Sequence, residues 1–101
     1  MIRFCWDDRK NLVNRRKHGV SFETAIRVFH DPFVLFEQDR EVDGEVRWQA
    51  LGRASERVLL LVAHAYEYNE ENSDERIRII SARGATQREA EVWAAQFHAR
   101  G

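Results

Sequence analysis

Six consecutive apolar residues, Val58-Leu59-Leu60-Leu61-Val62-Ala63, stand in a chain in which 33% of residues are charged. An apolar run of this length within Arg57–Tyr66 reads as a strand covered on both faces, at the centre of a sheet. The rest of the chain must therefore supply its neighbours and its covering layers. At 101 residues it has the size of one domain, spanning 1–101. A chain of this length buries roughly 65% of the surface exposed when unfolded, enough for one modest core.

Local signals place those neighbours. Ile2 to Asp7 reads as a short strand, and Asp7 or Asp8 caps a helix over 9–18. Gly19 suits the left-handed stop of that helix. Ser21 caps a second helix, whose Phe22, Ala25, Ile26 and Phe29 form one stripe until Asp31-Pro32 ends it. Phe33–Gln38 and Glu45–Arg53 read as strands joined through the Asp43-Gly44 turn, and Arg76–Arg83 as a last strand beyond the polar loop Asn69–Asp74. Thr86 and Glu89 fit a capping box, after which Ala90, Trp93, Ala94 and Phe97 recur at helical spacing. The order β-α-α-β-β-β-β-α predicts an α+β domain: a largely antiparallel sheet of four to five strands, two N-terminal helices and one C-terminal helix.

The net charge of −1 conceals segregation. Arg9, Lys10, Arg15, Arg16 and Lys17 form a basic run, whereas Glu37 to Glu45 holds five acids and one Arg. Each run reads first as solvated surface, yet binding responds to the local field and not to the sum. The single Cys5 excludes an internal disulfide and a cysteine-based zinc site, and reads as a buried thiol. The N-terminus lacks a signal-peptide pattern and no stretch approaches ~18 apolar residues, so a cytoplasmic chain that does not touch the membrane is expected. H-E-x-x-H, P-loop, G-x-S-x-G and G-x-G-x-x-G motifs are absent, and neither metal nor cofactor is expected.

Two constellations carry chemistry. On the first helix Lys10, Asn14 and Lys17 share a face, with His18 beside the last of them, a pattern suited to a phosphate backbone. The same spacing fits a solvated helix whose apolar side is Leu12 and Val13. His18 closes the helix at its negative end, which suits a proton donor. In the sheet, alternation puts Arg47, Gln49, Leu51 and Arg53 opposite Val46, Trp48, Ala50 and Gly52. It likewise puts Arg76 and Arg78 opposite Ile77, Ile79 and Ser81. If the helices cover the Trp48 and Ile77 side, the other side is lined with arginines fitted to phosphates. Cross-strand pairing with Glu37 or Glu45, worth at most ~1 kcal/mol, would explain part of it. His64 reads as a satisfied interior histidine, and His30 and His98 as surface residues.

Several segments together resemble one family. They are Trp6-Asp7, Lys10, Asn14, the run Lys17-His18-Gly19-Val20-Ser21-Phe22-Glu23-Thr24-Ala25, Phe29-x-Asp31-Pro32, Glu45-x-Arg47 with Gly52, and Ile77-Arg78-Ile79-Ile80-Ser81-Ala82-Arg83. In this order and separation they resemble the BrnT family of toxins over nearly the whole chain. The resemblance implies a RelE-like fold, RNA cleavage that stops translation, and neutralisation by a BrnA-like antitoxin through which the pair reaches operator DNA. The matching polar positions are Lys10, Asn14, Lys17, His18, Glu23, Arg47, Ser81 and Arg83. The chain departs from the family pattern at Gly84, where a basic residue often follows the arginine, and in a longer acidic loop over Asn69–Asp74.

Metal-independent RNA cleavage needs a base for the ribose 2′-OH, cations against the phosphorane charge, and an acid for the leaving 5′-oxygen. Lys17, His18, Glu23, Arg47 and Arg83 are the expected catalytic set: Arg47 and Arg83 for charge, Lys17 and His18 for positioning or proton transfer, Glu23 as candidate base. Lys10, Asn14, Arg53, Arg76, Arg78 and Ser81 are the expected RNA contacts. The alternative is a non-catalytic module that only docks its antitoxin and contributes to operon repression. Direct DNA binding is disfavoured because no helix-turn-helix is legible.

Overall fold

Five strands, β1 (Ile2–Cys5), β2 (Leu35–Val42), β3 (Glu45–Ser55), β4 (Val58–Asn69) and β5 (Asp74–Gly84), form one sheet in the order β1-β5-β4-β3-β2. The structure is a computed structural model and describes residues 2–98. The apolar run lies in β4, the central strand. Its Leu60 and Val62 enter the main core with Phe22, Ala25, Val28, Ala50, Ile77, Ile79 and Ala82.

The sheet is mixed, which corrects the expected antiparallel arrangement. β2 to β5 are antiparallel neighbours, but β1 runs parallel to β5, with Phe4 opposite Ile77 and Cys5 opposite Arg78. No hairpin joins β1 to β5, so no turn dictates their relative direction.

The second helix is also corrected. Only Phe22–Ala25 is α-helical (α2), capped by Ser21 Oγ on the Thr24 N–H at 3.1 Å. Ile26–His30 then tightens into a 3₁₀ turn. Phe22 and Ala25 of α2 and Val28 of the turn are buried, whereas Ile26 and Phe29 are only partly buried. Val28 comes so close to β3 that a Cβ on Gly52 would lie 3.0 Å from its Cγ1 and 3.1 Å from Asp31 Oδ2. Asp31 joins the turn to the sheet: Oδ1 accepts from the Phe33 N–H and Oδ2 from the Arg53 N–H at 2.7 Å.

The first helix, α1 (Asp8–His18), is capped by Asp7 and stopped by Gly19 at φ 71°. It docks by its polar side. Leu12 and Val13, expected as the apolar side, are 46% and 54% exposed, while Asn14 is buried. Asn14 Nδ2 donates to Ala82 O (2.8 Å) and Val20 O (2.9 Å), and its Oδ1 accepts from the Ala82 N–H (3.1 Å). Asn11 Oδ1 accepts from the Phe22 N–H in the same way.

The last helix, α3 (Gln87–His98), begins with the expected capping box: the Glu89 N–H donates to Thr86 Oγ1 and the Thr86 N–H to Glu89 Oε1. It lies on the other face of the sheet, where Arg53 sits 4.6 Å above the ring of its buried Trp93.

Replacing Asn14 with Ala removes both partners of Ala82 and one of Val20 from a largely buried site. Each unsatisfied buried group costs about 1–3 kcal/mol. Asn14→Ala is therefore expected to lose about 3 kcal/mol or more in urea unfolding. A midpoint equal to that of the unchanged protein would show that α1 is held otherwise.

Candidate functional site

β1 ends at Cys5, level with Arg78, so beyond that point β5 has no strand on its outer edge. α1 occupies the place, and a groove of about 400 Å³ runs between them. Lys10, Lys17 and His18 from the helix face Ile80 and Ser81 from the strand, with Arg9 at the same wall. Four of the sequence-predicted site residues, Lys10, Lys17, His18 and Ser81, thus converge. Asn14 also borders the groove, but its amide is bound to backbone, and it positions the groove instead of presenting a donor.

A bulge in β5 decides what faces where. His64 pairs with Ile79 but Ala63 with Ser81, leaving Ile80 as the extra residue. Strict alternation placed Ser81 with Ile77 and Ile79. The bulge instead turns Ser81 to the arginine side, sends Ala82 into the core and leaves Arg83 outside. Arg76, Arg78, Ser81 and Arg83 therefore share one side of β5, beside the groove.

The arginines are mostly engaged. Arg78 bonds Glu45 and, at 2.8 Å, Glu67; Arg47 Nε bonds Glu45 Oε1 at 3.1 Å. The Arg78 guanidinium holds the Glu45 carboxyl below the usual carboxylate range. Arg83 makes a two-point bond to Glu89, which brings Glu89 down to about 2. Arg53 lies under α3 and not on an open face, because its guanidinium stacks on Trp93. The ion pairs among the described residues leave Lys10, Lys17 and Arg76 outside them.

Glu23, the candidate base, is not in the groove. Its carboxylate accepts from Asn11 Nδ2 at 2.6 Å, and that bond lowers its pKa, making it a weaker base. Arg9 is the groove cation left out of the predicted site; its place in the basic run was the available signal. A larger hollow of about 560 Å³ lies between α3 and β2–β4, but its walls are mainly apolar, with Glu37 and Glu89 near Arg88. The cations are in the smaller groove, and the chemistry points there. Among the described residues no three or more His, Cys, Asp or Glu side chains gather as a metal site, and no helix is long and apolar enough to cross a membrane.

The family description "Ribonuclease toxin, BrnT, of type II toxin-antitoxin system" matches residues 6–89. The chain belongs to the BrnT family. Among solved structures, the Brucella abortus ribonuclease toxin BrnT is similar in fold, with TM-score 0.61 and 22% identity over 86% of this chain and 100% of that one. No curated protein matches the chain. This BrnT chain is thus a ribonuclease toxin of a type II toxin–antitoxin system by family. Its motif residues divide into two sets. Asn14, Ser21, Phe22, Asp31 and Gly52 build the scaffold, and Lys10, Lys17, His18 and Ser81 line the groove.

His64 is buried, with Phe29 edge-on at 4.8 Å, and burial lowers its pKa from 6.5. The folded chain therefore binds this proton less readily than the unfolded one. Stability is full above about pH 6.5 and falls as pH drops towards the depressed folded-state value. Urea midpoints are expected to decline from pH 7 to pH 5, and His64→Phe is expected to flatten that decline. An unchanged slope in the variant would place the titrating group elsewhere.

Proposed function

We propose that this toxin is a metal-independent endoribonuclease that stops translation in the cytoplasm and cuts RNA at the groove between α1 and β5. The observation that carries this reading is the convergence of Lys10, Lys17, His18 and Ser81 on one groove, with Arg83 next along the same side of β5. Ser81 and Arg83 lie about 7 Å apart by strand geometry, roughly one phosphate spacing. The RNA backbone would lie along β5, contacting Lys10, Ser81, Arg76 and Arg78. The ribose 2′-oxygen attacks the phosphorus and loses its proton to water, and the 5′-oxygen leaves with a proton from His18. Lys17 and Arg83 oppose the phosphorane charge, with Arg47 adding to the field from β3. The products are a 2′,3′-cyclic phosphate and a 5′-hydroxyl. The family resemblance supports RelE-like kinship and a BrnA-like antitoxin that carries the pair to operator DNA.

A second reading has its own support: Arg47, Arg78 and Arg83 are already bound to carboxylates. That arrangement also suits a non-catalytic module that only docks its antitoxin.

Labelled RNA incubated with the toxin in EDTA separates the two. Cleavage with cyclic phosphate ends is expected, reduced ~10²-fold or more by His18→Ala, the usual weight of a general acid. Lys17→Ala and Arg83→Ala are each expected to lower the rate ~10-fold or more, as removal of a charge-stabilising group does. Intact RNA from a folded sample free of antitoxin would favour the docking module.

A further inference from the structure

The side of the sheet that carries the core continues beyond the 3₁₀ turn as an uncovered aromatic surface. Phe36, Trp48, Tyr66 and Ile77 line a hollow of about 350 Å³ over the buried His64. Tyr68, two residues on from Tyr66, extends it. Phe36, Tyr66 and Tyr68 are 54%, 47% and 54% exposed. Contiguous apolar surface of this kind on a small protein marks an interaction site, and Tyr, Trp and Phe are the residues enriched at the centres of protein interfaces.

Charge chooses the occupant. By register, Glu41 is opposite Val46 and Glu75 opposite Tyr68, so both carboxylates stand on this same side. The two hairpins beyond it carry Asp43 and, at the other tip, Glu70, Glu71 and Asp74. The arginines of β3 and β5 face the opposite side. An RNA strand stacked here would meet carboxylates where it needs cations. A second copy docked face to face would bring the same acids together. A polypeptide with apolar anchors flanked by lysine or arginine fits both features.

We propose that this aromatic face is a docking surface for such a segment of the antitoxin, separate from the RNA groove. The assignment rests on the chain being one half of a toxin–antitoxin pair. The probe is the product of the neighbouring gene that restores growth when co-expressed, titrated into the full toxin by calorimetry at low and high salt. The Phe36→Ser/Tyr68→Ser double variant is expected to weaken this binding at least 30-fold. Glu41→Lys, which leaves the aromatic rings in place, is expected to weaken it about 10-fold at low salt and less at high salt. Thermal melts check folding, and RNA binding should stay within twofold in both variants. Antitoxin affinity within threefold of the unchanged toxin in both variants would overturn the proposal, as would loss of RNA affinity in the double variant, which would make the face an RNA platform. Absence of binding by the unchanged toxin would overturn the paired reading itself.

Discussion

Asn14 does here what a sixth strand would do. Its side-chain amide offers a donor and an acceptor to the backbone of Ala82, as a neighbouring peptide group would at the edge of β5. A helix cannot pair with a sheet edge through its own backbone, because those groups are bonded within the helix. A single buried asparagine solves this and also takes the carbonyl of Val20, fixing where the chain leaves α1. The rest follows from that contact. α1 lies against the edge with its polar side, Leu12 and Val13 stay outside, and Lys10, Lys17 and His18 are held opposite Ser81.

The ion pairs on the arginine side are weak because of their exposure. The side chains involved are between 25% and 45% exposed. Pairs of that kind are worth ~0–1 kcal/mol each, so a phosphate that gains a bidentate arginine contact can displace them. The carboxylates orient the guanidinium groups in the free toxin without locking them. The same acids lower the net charge to −1, which explains a nucleic-acid-acting chain without a basic composition. Cations lie along α1 and β5, those of β5 paired in part with Glu45, Glu67 and Glu89, while aromatic rings with further carboxylates lie on the other side.

The capping residues, the stop at Gly19, the Asp43-Gly44 turn and the central place of β4 were legible because each depends on residues close in sequence. The groove was half legible. Lys10, Lys17 and His18 share a helix face by spacing alone, but nothing in that spacing named Ser81 as their neighbour. The arginine side was legible in β3, by simple alternation, and misjudged at Ser81 in β5, where Ile80 breaks the alternation. Arg53, placed by alternation, and Glu23, placed by the family resemblance, are engaged with Trp93 and Asn11.

By itself the sequence determined the strands, the first and last helices, their caps and the polarity of the strand faces up to the bulge in β5, since hydrophobic period and turn chemistry act over a few residues. It also carried enough of the BrnT pattern to identify the family over residues 6–89. The tertiary structure alone decided the parallel placement of β1, the bulge at Ile80 and the docking of α1 through Asn14. The first and last join residues about seventy positions apart and the bulge joins neighbours in two paired strands, and their energy lies in backbone groups that every residue shares. Side-chain identity cannot announce such a partner; only the folded chain brings Ala82 to Asn14.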